Sequence, residues 1–341
     1  MIMDPRVDTP FKFSSSEIKS FQRCPKQHEY KYIQRLVSKK PQRPLTIGNW
    51  VHAALETHYK DGDWRIGYQQ WLAIYDKYFD EEKAALDKRG KLPDLVKRII
   101  KGYLYYYKND GWKVLYTEWE FEFPMTFNGL IFLVKGRVDL IVEDEDGDIW
   151  VVDHKTASNI PDPTSFHAMD PQLMLYPVAV KKLLGLKVRG IVYNYVQSKP
   201  PSIPKLNKNG SISKRKVRTD YPTLLRFLKE SGQDPADWVH VLRPLKRRSP
   251  FLRRYRLPRE PVVTKAILKD LLTVATHIVG DELRTRTITR DCANMCSYHE
   301  LCRSELNGFD TTFMRKAQFT IKEGDNPIEL DQEPEEDDDG E

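Results

Sequence analysis

The spacing of apolar residues predicts that helices surround a central group of strands. In "TIGNWVHAALETHY" the apolar residues from Ile47 to Leu55 recur at helical spacing, which predicts an amphipathic helix. Residues 64–109 keep this spacing and are expected to be wholly helical, as the main part of a helical insertion over residues 60–112. Earlier in the chain, "SSSEIKSFQRCP" opens with hydroxyl residues that can cap a further helix.

The middle third of the chain changes to a period of two. "VLYTEWEFEF" alternates Glu118, Glu120 and Glu122 with aromatic residues, as a strand with one exposed face does. Three apolar runs follow, "LIFLVKG", "RVDLIVED" and "IWVVDHKT", and the pair Asp146 and Gly147 between the last two predicts a hairpin. A helix, "DPQLMLYPVAVKKLLG", and a strand, "VRGIVYNYVQ", come next. The pattern predicts an α+β fold, in which helices flank a central mixed, largely antiparallel sheet.

The last third contains a loop, a helix and a cluster of cysteines. Residues 198–220 are rich in Pro, Asn, Ser and Lys and are expected to form an exposed loop. A helix is expected over residues 260–279, and it leads into the cysteine region at residues 280–305. We therefore expect one domain over residues 1–325, followed by a disordered acidic tail at residues 326–341.

The composition is that of an ordinary globular protein with a basic body. The 341 residues are 40% hydrophobic and 11% aromatic, and 55 bases outnumber 49 acids, for a net charge of +6. Residues 329–341 hold nine acids and no base, so residues 1–328 carry 55 bases against 40 acids, a net charge of +15. A basic body favours a polyanionic partner, and the acidic tail could compete with that partner for the basic surface. A tail that only aids solubility is an equal alternative.

No stretch of the sequence predicts export or membrane insertion. "MIMDPRVDTPFKF" lacks the apolar core of a signal peptide, and nowhere do about 18 apolar residues run together. We expect a soluble, intracellular, cytoplasmic protein without a membrane partner.

The strand that ends in "VVDHKT" carries the candidate chemistry. Asp153 and Lys155 are two residues apart, so their side chains lie on the same face of the strand. The preceding strand carries Asp139 among apolar residues, and the hairpin could bring the two carboxylates to a common end. Oxygen ligands suit Mg²⁺ or Mn²⁺, and Lys155 could hold the attacking water and balance charge on a phosphoryl transition state. An acid-x-Lys triplet alone would indicate no more than a surface ion pair, and it gains weight from the two paired strands.

These motifs, in this order, resemble the PD-(D/E)xK nuclease core, and specifically its RecB-like branch. The likeness runs from about residue 14 to residue 302. "SEIKSFQRCPKQHEYKYI" is similar to the opening helix of that branch, with its Cys-Pro, and "GNWVHAALE" is similar to its second motif. "GRVDLIVEDEDGDIWVVDHKT" resembles its metal-binding hairpin, and "QLMLY" resembles its Gln-x-x-x-Tyr helix. The helical insertion has no counterpart that we can match.

The resemblance implies a metal ligand outside the hairpin. It implies that His52 binds the metal together with Asp139 and Asp153, whereas one histidine among eight would otherwise be structural. Gly48 precedes His52 by one helical turn, and its missing side chain is expected to leave room beside the imidazole.

The resemblance also implies roles for two residues on the helix after the hairpin. Gln172 and Tyr176 are four apart and project from one helical face, where the family implies that they contact DNA or position Lys155. Periodicity alone favours a place in the core for Tyr176. Glu118 could line the site without touching the metal, although the alternation does not separate it from Glu120.

The four cysteines are the candidate for a second metal site. Cys24 stands alone, while Cys292, Cys296 and Cys302 lie close together in "CANMCSYHELC". In a reducing compartment such a set favours metal binding over disulfides, with three buried thiols and one unrelated cysteine as the structural alternative. The resemblance implies a [4Fe–4S] cluster that joins the two ends of the chain, as in AddB-like and CRISPR-associated members. The spacing Cys-x₃-Cys-x₅-Cys has one residue more than the usual Cys-x₂-Cys-x₅-Cys, and a four-cysteine zinc site is the alternative.

A basic run over residues 243–259 is the candidate DNA surface. "RPLKRRSPFLRRYRLPR" has eight bases, no acids and two aromatic residues, a composition suited to phosphate contact and base stacking. The residues expected to contact DNA are Arg247, Arg248, Arg253, Arg254 and Tyr255. A solvated basic hairpin is the alternative, and the loop from Lys214 to Arg218 is a second place for the DNA path.

The combined expectation is a metal-dependent DNA exonuclease that hydrolyses phosphodiester bonds on single-stranded or frayed ends, in recombination, repair or replication. No Gly-x₄-Gly-Lys-Ser/Thr phosphate loop occurs, so a helicase or recombination partner would have to unwind duplex DNA. The alternatives are a nucleic-acid-binding subunit on a nuclease-like scaffold, which the presence of all core residues disfavours, and a structure-selective endonuclease. The resemblance favours a bacterial, archaeal or viral origin, and it leaves strand polarity and oligomeric state open.

Overall fold

The structure, a computed structural model, describes residues 3–4, 9–88, 90–161, 170–207, 218–280 and 284–322, with side chains from residue 10 onward. The strands are β1 (Met3–Asp4), β2 (Thr9–Pro10), β3 (Lys12–Ser14), β4 (Leu36–Ser38), β5 (Lys113–Phe127), β6 (Leu130–Glu143), β7 (Ile149–Ala157), β8 (Val188–Gln197), β9 (Leu252–Pro258) and β10 (Phe319–Ile321). The helices are α1 (Ser15–Arg23), α2 (Pro25–His28), α3 (Arg43–Asp61), α4 (Trp64–Lys77), α5 (Asp80–Asp87), α6 (Leu92–Tyr107), α7 (Pro171–Leu184), α8 (Tyr221–Glu230), α9 (Val239–Arg247), α10 (Pro261–Gly280), α11 (Cys292–Met295), α12 (His299–Leu306) and α13 (Thr312–Gln318). None of these helices is long and apolar enough to cross a membrane.

The chain divides into two units, each built from two separate segments. The first unit takes residues 1–22 and 40–283, and the second takes residues 23–39 and 284–341. The predicted acidic tail lies outside the described residues, and so does most of the predicted basic loop that starts at Lys214.

A six-stranded mixed sheet forms the centre of the first unit. Its strand order is β3-β6-β7-β8-β9, and β5 pairs with β6. The pairs β3–β6 and β7–β8 are parallel, and the pairs β5–β6, β6–β7 and β8–β9 are antiparallel. This arrangement, with helices beside the sheet, confirms the predicted α+β fold.

The strand β6 meets two different strands along one edge. β5 pairs with β6 along its whole length, so β3 and β7 must share the opposite edge. β3 reaches residues 133–135 of β6, and β7 reaches residues 140–143. Residues 136–139 of β6 therefore pair with neither strand, and they border a gap in the sheet.

Two large apolar cores lie in the first unit. In one core, α7 and α10 pack against the sheet, with Leu173 and Leu271 buried beside Val151 and Ile191. In the other, α3, α4 and α6 pack together and against the ends of β8 and β9, around the fully buried Trp50. Burial of large apolar side chains stabilises a fold by roughly 1.5–3 kcal/mol each, so these cores fix the helices relative to the sheet.

The stretch expected to be wholly helical consists of three helices, α4, α5 and α6, with short breaks between them. Helix α4 lies directly on the backbone of α3, because a Cβ atom at Gly67 would come within 2.0 Å of the Ala53 carbonyl oxygen. The N–H group of Gly67 also donates a hydrogen bond to Thr57 Oγ1 at 3.1 Å. The backbones of the two helices therefore touch next to His52.

The alternation predicted for β5 holds in only part of the strand. Phe121 and Phe123 point into the core, and the glutamates beside them are exposed, as expected. The register shifts between Val114 and Tyr116, however, and Glu118 takes a left-handed backbone with φ of +45°. These two irregularities turn the Glu118 side chain away from the exposed row to which the alternation assigned it.

The second unit has its own small core and its own ionic centre. Its core consists of Tyr30, Leu36, Tyr298, Leu301 and Phe319, and β4 pairs with β10 in antiparallel register. Glu305 accepts hydrogen bonds from the hydroxyl of Tyr30 and from the guanidinium groups of Arg286 and Arg315, at 2.5, 3.1 and 2.6 Å. The two segments of this unit are thus joined by a sheet, a core and ion pairs.

Candidate active site

Asp139 lies at the gap in the sheet, where β7 leaves β6. Leu140 and Val152 are the last pair of the β6–β7 ladder, so the strands separate at Asp139. The Oδ2 atom of Asp139 accepts a hydrogen bond from the backbone N–H of His154 at 2.7 Å. The side chain of Asp139 thereby bridges the two strands where their ladder ends.

Three potential metal ligands from three elements converge beside the gap. His52 of α3, Glu118 of β5 and Asp139 of β6 each offer one ligand atom, and these atoms lie within 4.8 Å of one another. His52 Nδ1 is 3.6 Å from Asp139 Oδ2, and Glu118 Oε2 is 2.8 Å from Nε of Arg137. The sequence predicted His52 and Asp139 for this site, and Glu118 belongs to the same close set.

Helix α3 approaches the end of β7 through Gly48. A Cβ atom at Gly48 would lie 3.2 Å from Thr156 Oγ1. The sequence interpretation was that Gly48 leaves room beside the imidazole of His52. The close neighbour is instead the end of β7, so Gly48 allows the whole helix to approach the strand that carries Asp153 and Lys155.

The buried Asp153 and the partly exposed Lys155 form an ion pair on one face of β7. Lys155 Nζ donates to Asp153 Oδ1 at 2.9 Å and lies 2.8 Å from Oδ2. Asp153 is 1% exposed, and both of its carboxylate oxygens lie within 2.9 Å of the Lys155 ammonium. Asp153, a predicted metal ligand, does not belong to the set within 4.8 Å, and its carboxylate is held by Lys155.

Crowding and burial make two of the acids hard to ionise. Burial raises the pKa of Glu118 to about 8, with a further rise from Asp139 that outweighs the opposing effect of Arg137. Burial also raises the pKa of Asp153 to about 6, against the lowering effect of Lys155. Ionising either acid therefore costs free energy, because the charge is poorly solvated and lies near another carboxylate.

Two other groups keep their charge in spite of burial. Burial favours a higher pKa for Asp139, but His52, His154 and Lys155 hold the pKa of Asp139 below its usual value. Burial would lower the pKa of Lys155, and Asp153 and Asp139 raise it above its usual value. Lys155 is therefore a permanent cation beside the carboxylates.

This set of donors fits a divalent cation. Carboxylate oxygens are the ligands that Mg²⁺ and Mn²⁺ prefer, and imidazole is accepted by Mn²⁺ as well. An ion between the acids would offset the repulsion between Asp139 and Glu118 that adds to the raised pKa of Glu118. The residues present thus match a hard divalent metal in both chemistry and charge.

Helix α7 holds Gln172 and Tyr176 beside the ion pair. The Nε2 amide of Gln172 donates to the hydroxyl of Tyr176, which is 3% exposed and belongs to the first core. Burial raises the pKa of Tyr176 well above its usual value, and Asp153 and Asp139 add to the rise, so the hydroxyl stays neutral.

Asp170 is a buried acid near this helix that the sequence interpretation missed. It caps the start of α7 by accepting from the Gln172 N–H at 3.0 Å, and Lys19 Nζ lies 2.5 Å from it. It also contributes to the raised pKa of Lys155. The Asp-Pro pair at the start of an apolar run is the signal that could have identified Asp170 as a cap.

The structure separates the residues that were expected to contact DNA. Arg247 and Arg248 are exposed at the end of α9, whereas Arg253 is half-buried on β9. Tyr255 packs against the first core and donates to the Pro161 carbonyl oxygen at 3.2 Å. Arg254 is 14% exposed and lies 2.8 Å from Asp110, so little of its guanidinium faces solvent, and its contact with DNA stays a prediction.

All four cysteines lie in the second unit and are free thiols. Two backbone N–H groups point at their sulfurs, from Thr287 to Cys24 and from Thr289 to Cys292, each at 3.4 Å. Burial raises the pKa of Cys296, and the other three thiols add to the rise. The cysteines are therefore near enough to influence one another.

Comparison with known proteins identifies the family. The sequence profile of the PD-(D/E)XK nuclease superfamily matches residues 12–303, and the chain belongs to this superfamily of metal-dependent nucleases. No curated protein matches the sequence.

Three solved structures resemble the chain at low identity. A protein designated SSO0001 has 13% identity over 86% of each chain, with a TM-score of 0.34. A protein of Eubacterium rectale assigned as an exonuclease has 10% identity over 82% of this chain and 85% of that chain, with a TM-score of 0.43. A repair endonuclease of Pyrococcus abyssi has 21% identity over 40% of this chain and 44% of that chain, with a TM-score of 0.17. The assignment to the superfamily rests on the sequence profile.

Proposed function

We propose that the protein is a Mg²⁺- or Mn²⁺-dependent DNA exonuclease of the RecB-like branch, acting on single-stranded or frayed ends in recombination, repair or replication. The observation that carries the proposal is the convergence of His52, Glu118 and Asp139 within 4.8 Å, beside the ion pair of Asp153 and Lys155. A purely structural ion pair would not need three further metal-binding side chains from three other elements.

Each residue has a role in this proposal. His52, Asp139 and Glu118 would hold the metal, and Asp153 would place its carboxylate, paired with Lys155, beside it. When bound, the metal acts as a Lewis acid that lowers the pKa of water and neutralises charge on the phosphate. Lys155, cationic at all ordinary pH values, orients the attacking water and stabilises the negative charge that develops on the phosphoryl oxygens.

The helix α7 supports this arrangement from the first core. Tyr176 and Gln172 form a neutral hydrogen-bonded pair near the carboxylates, and we propose that they hold Lys155 and the scissile phosphate in position. Such positioning contributes to catalysis because the reacting groups need not be ordered during the reaction.

The substrate preference is inferred from charge and from the absence of a motor motif. Arg247 and Arg248 supply exposed cations for the phosphates of a single strand. The sequence has no phosphate loop of an ATP-driven motor, so we propose that a helicase or recombination partner supplies single strands from a duplex. The proposed nuclease domain spans residues 1–325, with a helical insertion at residues 60–112.

We further propose a [4Fe–4S] cluster bound by Cys24, Cys292, Cys296 and Cys302. The backbone N–H groups directed at two sulfurs support it, because such donors surround iron–sulfur clusters. The proximity of the thiols supports it too, because Cys24, Cys292 and Cys302 all add to the raised pKa of Cys296.

The test of the nuclease proposal is cleavage of DNA labelled at the 5′ or the 3′ end, as linear and circular single strands and duplexes, with Mg²⁺ or Mn²⁺. We expect stepwise release of nucleotides from linear single strands and no cleavage of circles. Lys155→Met should reduce the rate by about three orders of magnitude, the scale on which a key electrostatic stabiliser contributes, while DNA binding and Tm are nearly unchanged.

The control is Lys181→Met, which removes an exposed lysine from α7 and should leave the rate unchanged. Cleavage that persists in excess EDTA would contradict metal dependence. Cleavage of circles at the linear rate would identify an endonuclease, and DNA binding without any cleavage would identify a binding subunit.

A further inference from the structure

Arg254 of β9 lies between two aromatic side chains, and it is much less exposed than an ordinary surface arginine. The centre of its guanidinium is 3.8 Å from the ring centroid of Tyr107 and 3.8 Å from that of Trp112. The side chain is 14% exposed. Stacking of a guanidinium between two aromatic faces at this distance holds its plane in one orientation.

Hydrogen bonds fix the same guanidinium within its plane. The two hydrogens of one terminal nitrogen are shared among three acceptors, the hydroxyls of Tyr59 and Tyr103 at 3.1 and 2.8 Å and Asp110 Oδ2 at 2.8 Å. The Nε atom donates to Asn194 Oδ1 at 3.3 Å. Arg254 thus serves as a fixed set of donors inside the protein.

The donors of Arg254 determine how the amide of Asn194 is turned. A guanidinium has no acceptor, so the group of Asn194 that faces it must be the carbonyl oxygen. The Asn194 NH₂ group then points the other way, where it lies 2.9 Å from the hydroxyl of Tyr103 and 2.6 Å from His154 Nδ1.

The amide of Asn194 in turn determines the tautomer of His154. An NH₂ group donates, so the Nδ1 atom of His154 must accept and carries no proton. A neutral imidazole with a free Nδ1 has its proton on Nε2. The chain of hydrogen bonds from Arg254 therefore specifies one neutral tautomer of His154.

His154 connects this network to the metal site. Its backbone N–H donates to Asp139 Oδ2 at 2.7 Å, and its ring stands edge-on to the ring of His52, with centroids 5.9 Å apart and planes at 85°. The ring of Tyr59 lies nearly parallel to the ring of His154, with centroids 5.9 Å apart and planes at 14°. His154 thus touches two of the three residues that converge at the site.

Strand register places the three residues in one row. His154 of β7 is the partner of Asn194 in β8, and Asn194 is the partner of Arg254 in β9. Side chains alternate along a strand, so this row lies on the face of the sheet opposite to Lys155. One face of β7 thus carries the ion pair of Asp153 and Lys155, and the other face carries His154, which bonds to Asn194.

We propose that Arg254 and Asn194 are positioning residues for the metal site: they fix the ring of His154, in its Nε2–H tautomer, against the ring of His52, and the strand position that this fixes keeps the backbone N–H of His154 on Asp139. This inference rests on the proposed metal-dependent nuclease function. Partners behind metal ligands commonly change metal affinity by roughly 10–100-fold when removed, so the effect should be measurable in binding as well as in turnover.

The test is Mn²⁺ binding to the full chain by isothermal titration calorimetry, for the wild type and for Asn194→Leu, which keeps the side-chain shape and removes the donor. We expect roughly 10–100-fold weaker Mn²⁺ binding at a Tm that shows the variant to be folded. The turnover number for DNA should fall with unchanged KM, because the DNA surface is untouched.

The tautomer gives a second measurement that needs no metal. In protein with ¹⁵N-labelled histidine, the His154 signal, assigned by its loss in His154→Gln, should report an unprotonated Nδ1. In Asn194→Asp a carboxylate replaces the donor, keeps the contact with Arg254 and should draw a proton onto Nδ1. We expect Asn194→Asp to bind Mn²⁺ more weakly as well.

The matched control is Arg256→Gln, which removes an arginine from the same strand and face that pairs with Asp144 outside the network. It should leave Mn²⁺ affinity and the His154 signal unchanged. A protonated Nδ1 in the wild type, or unchanged Mn²⁺ affinity in Asn194→Leu, would overturn the inference while wild-type cleavage upholds the proposed function. A wild type that neither binds Mn²⁺ nor cleaves DNA would overturn both.

Discussion

Glu118 combines two features that each cost free energy in the metal-free protein, a left-handed backbone and a buried carboxylate. Its backbone has a φ of +45°, a left-handed conformation that commonly costs about 1–3 kcal/mol when a residue other than glycine adopts it. Its carboxylate is largely buried beside Asp139, and its pKa is raised to about 8. Strain and buried charge at one residue are typical of a site that has been shaped for binding.

The metal-free protein should lose stability as pH rises, in part because of Glu118. Its pKa of about 8 in the folded protein exceeds its usual value of 4.5, so the folded state binds this proton more tightly than the unfolded state does. The contribution of Glu118 is fully present below about pH 4.5 and is lost as pH rises through about 8. Glu118→Gln should therefore raise the Tm of the metal-free protein at pH 8 by about 2–4 °C, the shift that ~1 kcal/mol produces in a large domain.

The control for this prediction is Glu120→Gln, which removes an exposed glutamate from the same strand and should not change the Tm. Saturating Mg²⁺ should raise the Tm of the wild type at pH 8 and should raise that of Glu118→Gln much less. Equal stabilisation of both proteins by Mg²⁺ would show that Glu118 is not a ligand.

Among single residues, the sequence predicts the site residues of the hairpin, and it does not predict those whose position depends on contacts with distant parts of the chain. Asp139, Asp153 and Lys155 could be placed together because a short turn joins their strands. Glu118 could not be separated from Glu120, because the irregular backbone of β5 leaves no trace in the alternation. Arg254 is expected to contact DNA because it lies in a basic run, and no local pattern shows that the aromatic residues stacked on it lie more than 100 positions earlier in the chain.

Helix α9 presents a strongly two-sided surface at the scale of a single element. Leu242 faces inward, and Arg243, Lys246 and Arg247 are exposed, with Arg248 directly after the helix. Tyr221 lies beside this surface, with Lys246 Nζ 5.9 Å from its ring centroid. The cations of the predicted basic run that remain available to DNA are thus concentrated on this helix.

Neutralising this surface should change how DNA binding depends on salt. The triple variant Arg243→Gln, Arg247→Gln and Arg248→Gln should bind single-stranded DNA more weakly. The slope of log K against log salt should become less steep by about 0.7 for each phosphate that the variant no longer neutralises, or by about 2 if each arginine neutralises one phosphate. Fluorescence anisotropy over a salt series measures this slope.

A charge-matched control replaces Lys113, Lys187 and Arg189 by Gln. These exposed bases lie at the opposite end of the central strands, near the turn between β6 and β7. An equal slope for the wild type and the α9 variant would move the DNA path away from this helix, for instance to the loop that begins at Lys214.

The elements themselves are largely predictable, because the period of apolar residues is a local signal. The change from helical spacing to alternation marks the start of β5, and the turn at Gly147 marks the hairpin. The contact between α3 and α4 through Gly67 was not predictable, since no local pattern reveals which backbones touch. The gap at Asp139 escaped prediction for the same reason, because it depends on where β3 joins β6.

At the scale of the molecule, the second unit joins segments that are far apart in sequence. Residues 23–39 meet residues 284–322 through the β4–β10 pair and the hydrogen bond from the Tyr30 hydroxyl to Glu305. Both segments contribute cysteines to the proposed cluster. A cluster here would close a loop of nearly the whole chain, which restricts the unfolded state and so stabilises the folded one.

Protein purified without oxygen should therefore be brown and should contain about four iron and four acid-labile sulfide per chain. Each of the variants Cys24→Ser, Cys292→Ser, Cys296→Ser and Cys302→Ser should lose the colour and should be less soluble. Met295→Leu, in the same segment and exposed, is the control and should keep full colour. Colourless protein with one zinc and no sulfide would contradict the cluster, and full iron content in Cys24→Ser would contradict its fourth ligand.

The enclosure of Arg254 also has a consequence for how the chain is made. Tyr59 and Arg254 are 195 residues apart, and a ribosome that adds about 5–20 residues per second needs about 10–40 s to cover that distance. His52, Glu118, Asp139 and Lys155 have all been synthesised before Arg254 emerges, but the network that holds His154 cannot yet form. On the proposed function, a nascent chain would carry its hydrolytic residues before His154 is held in place, and it would bind the metal tightly only when β9 completes the edge of the sheet.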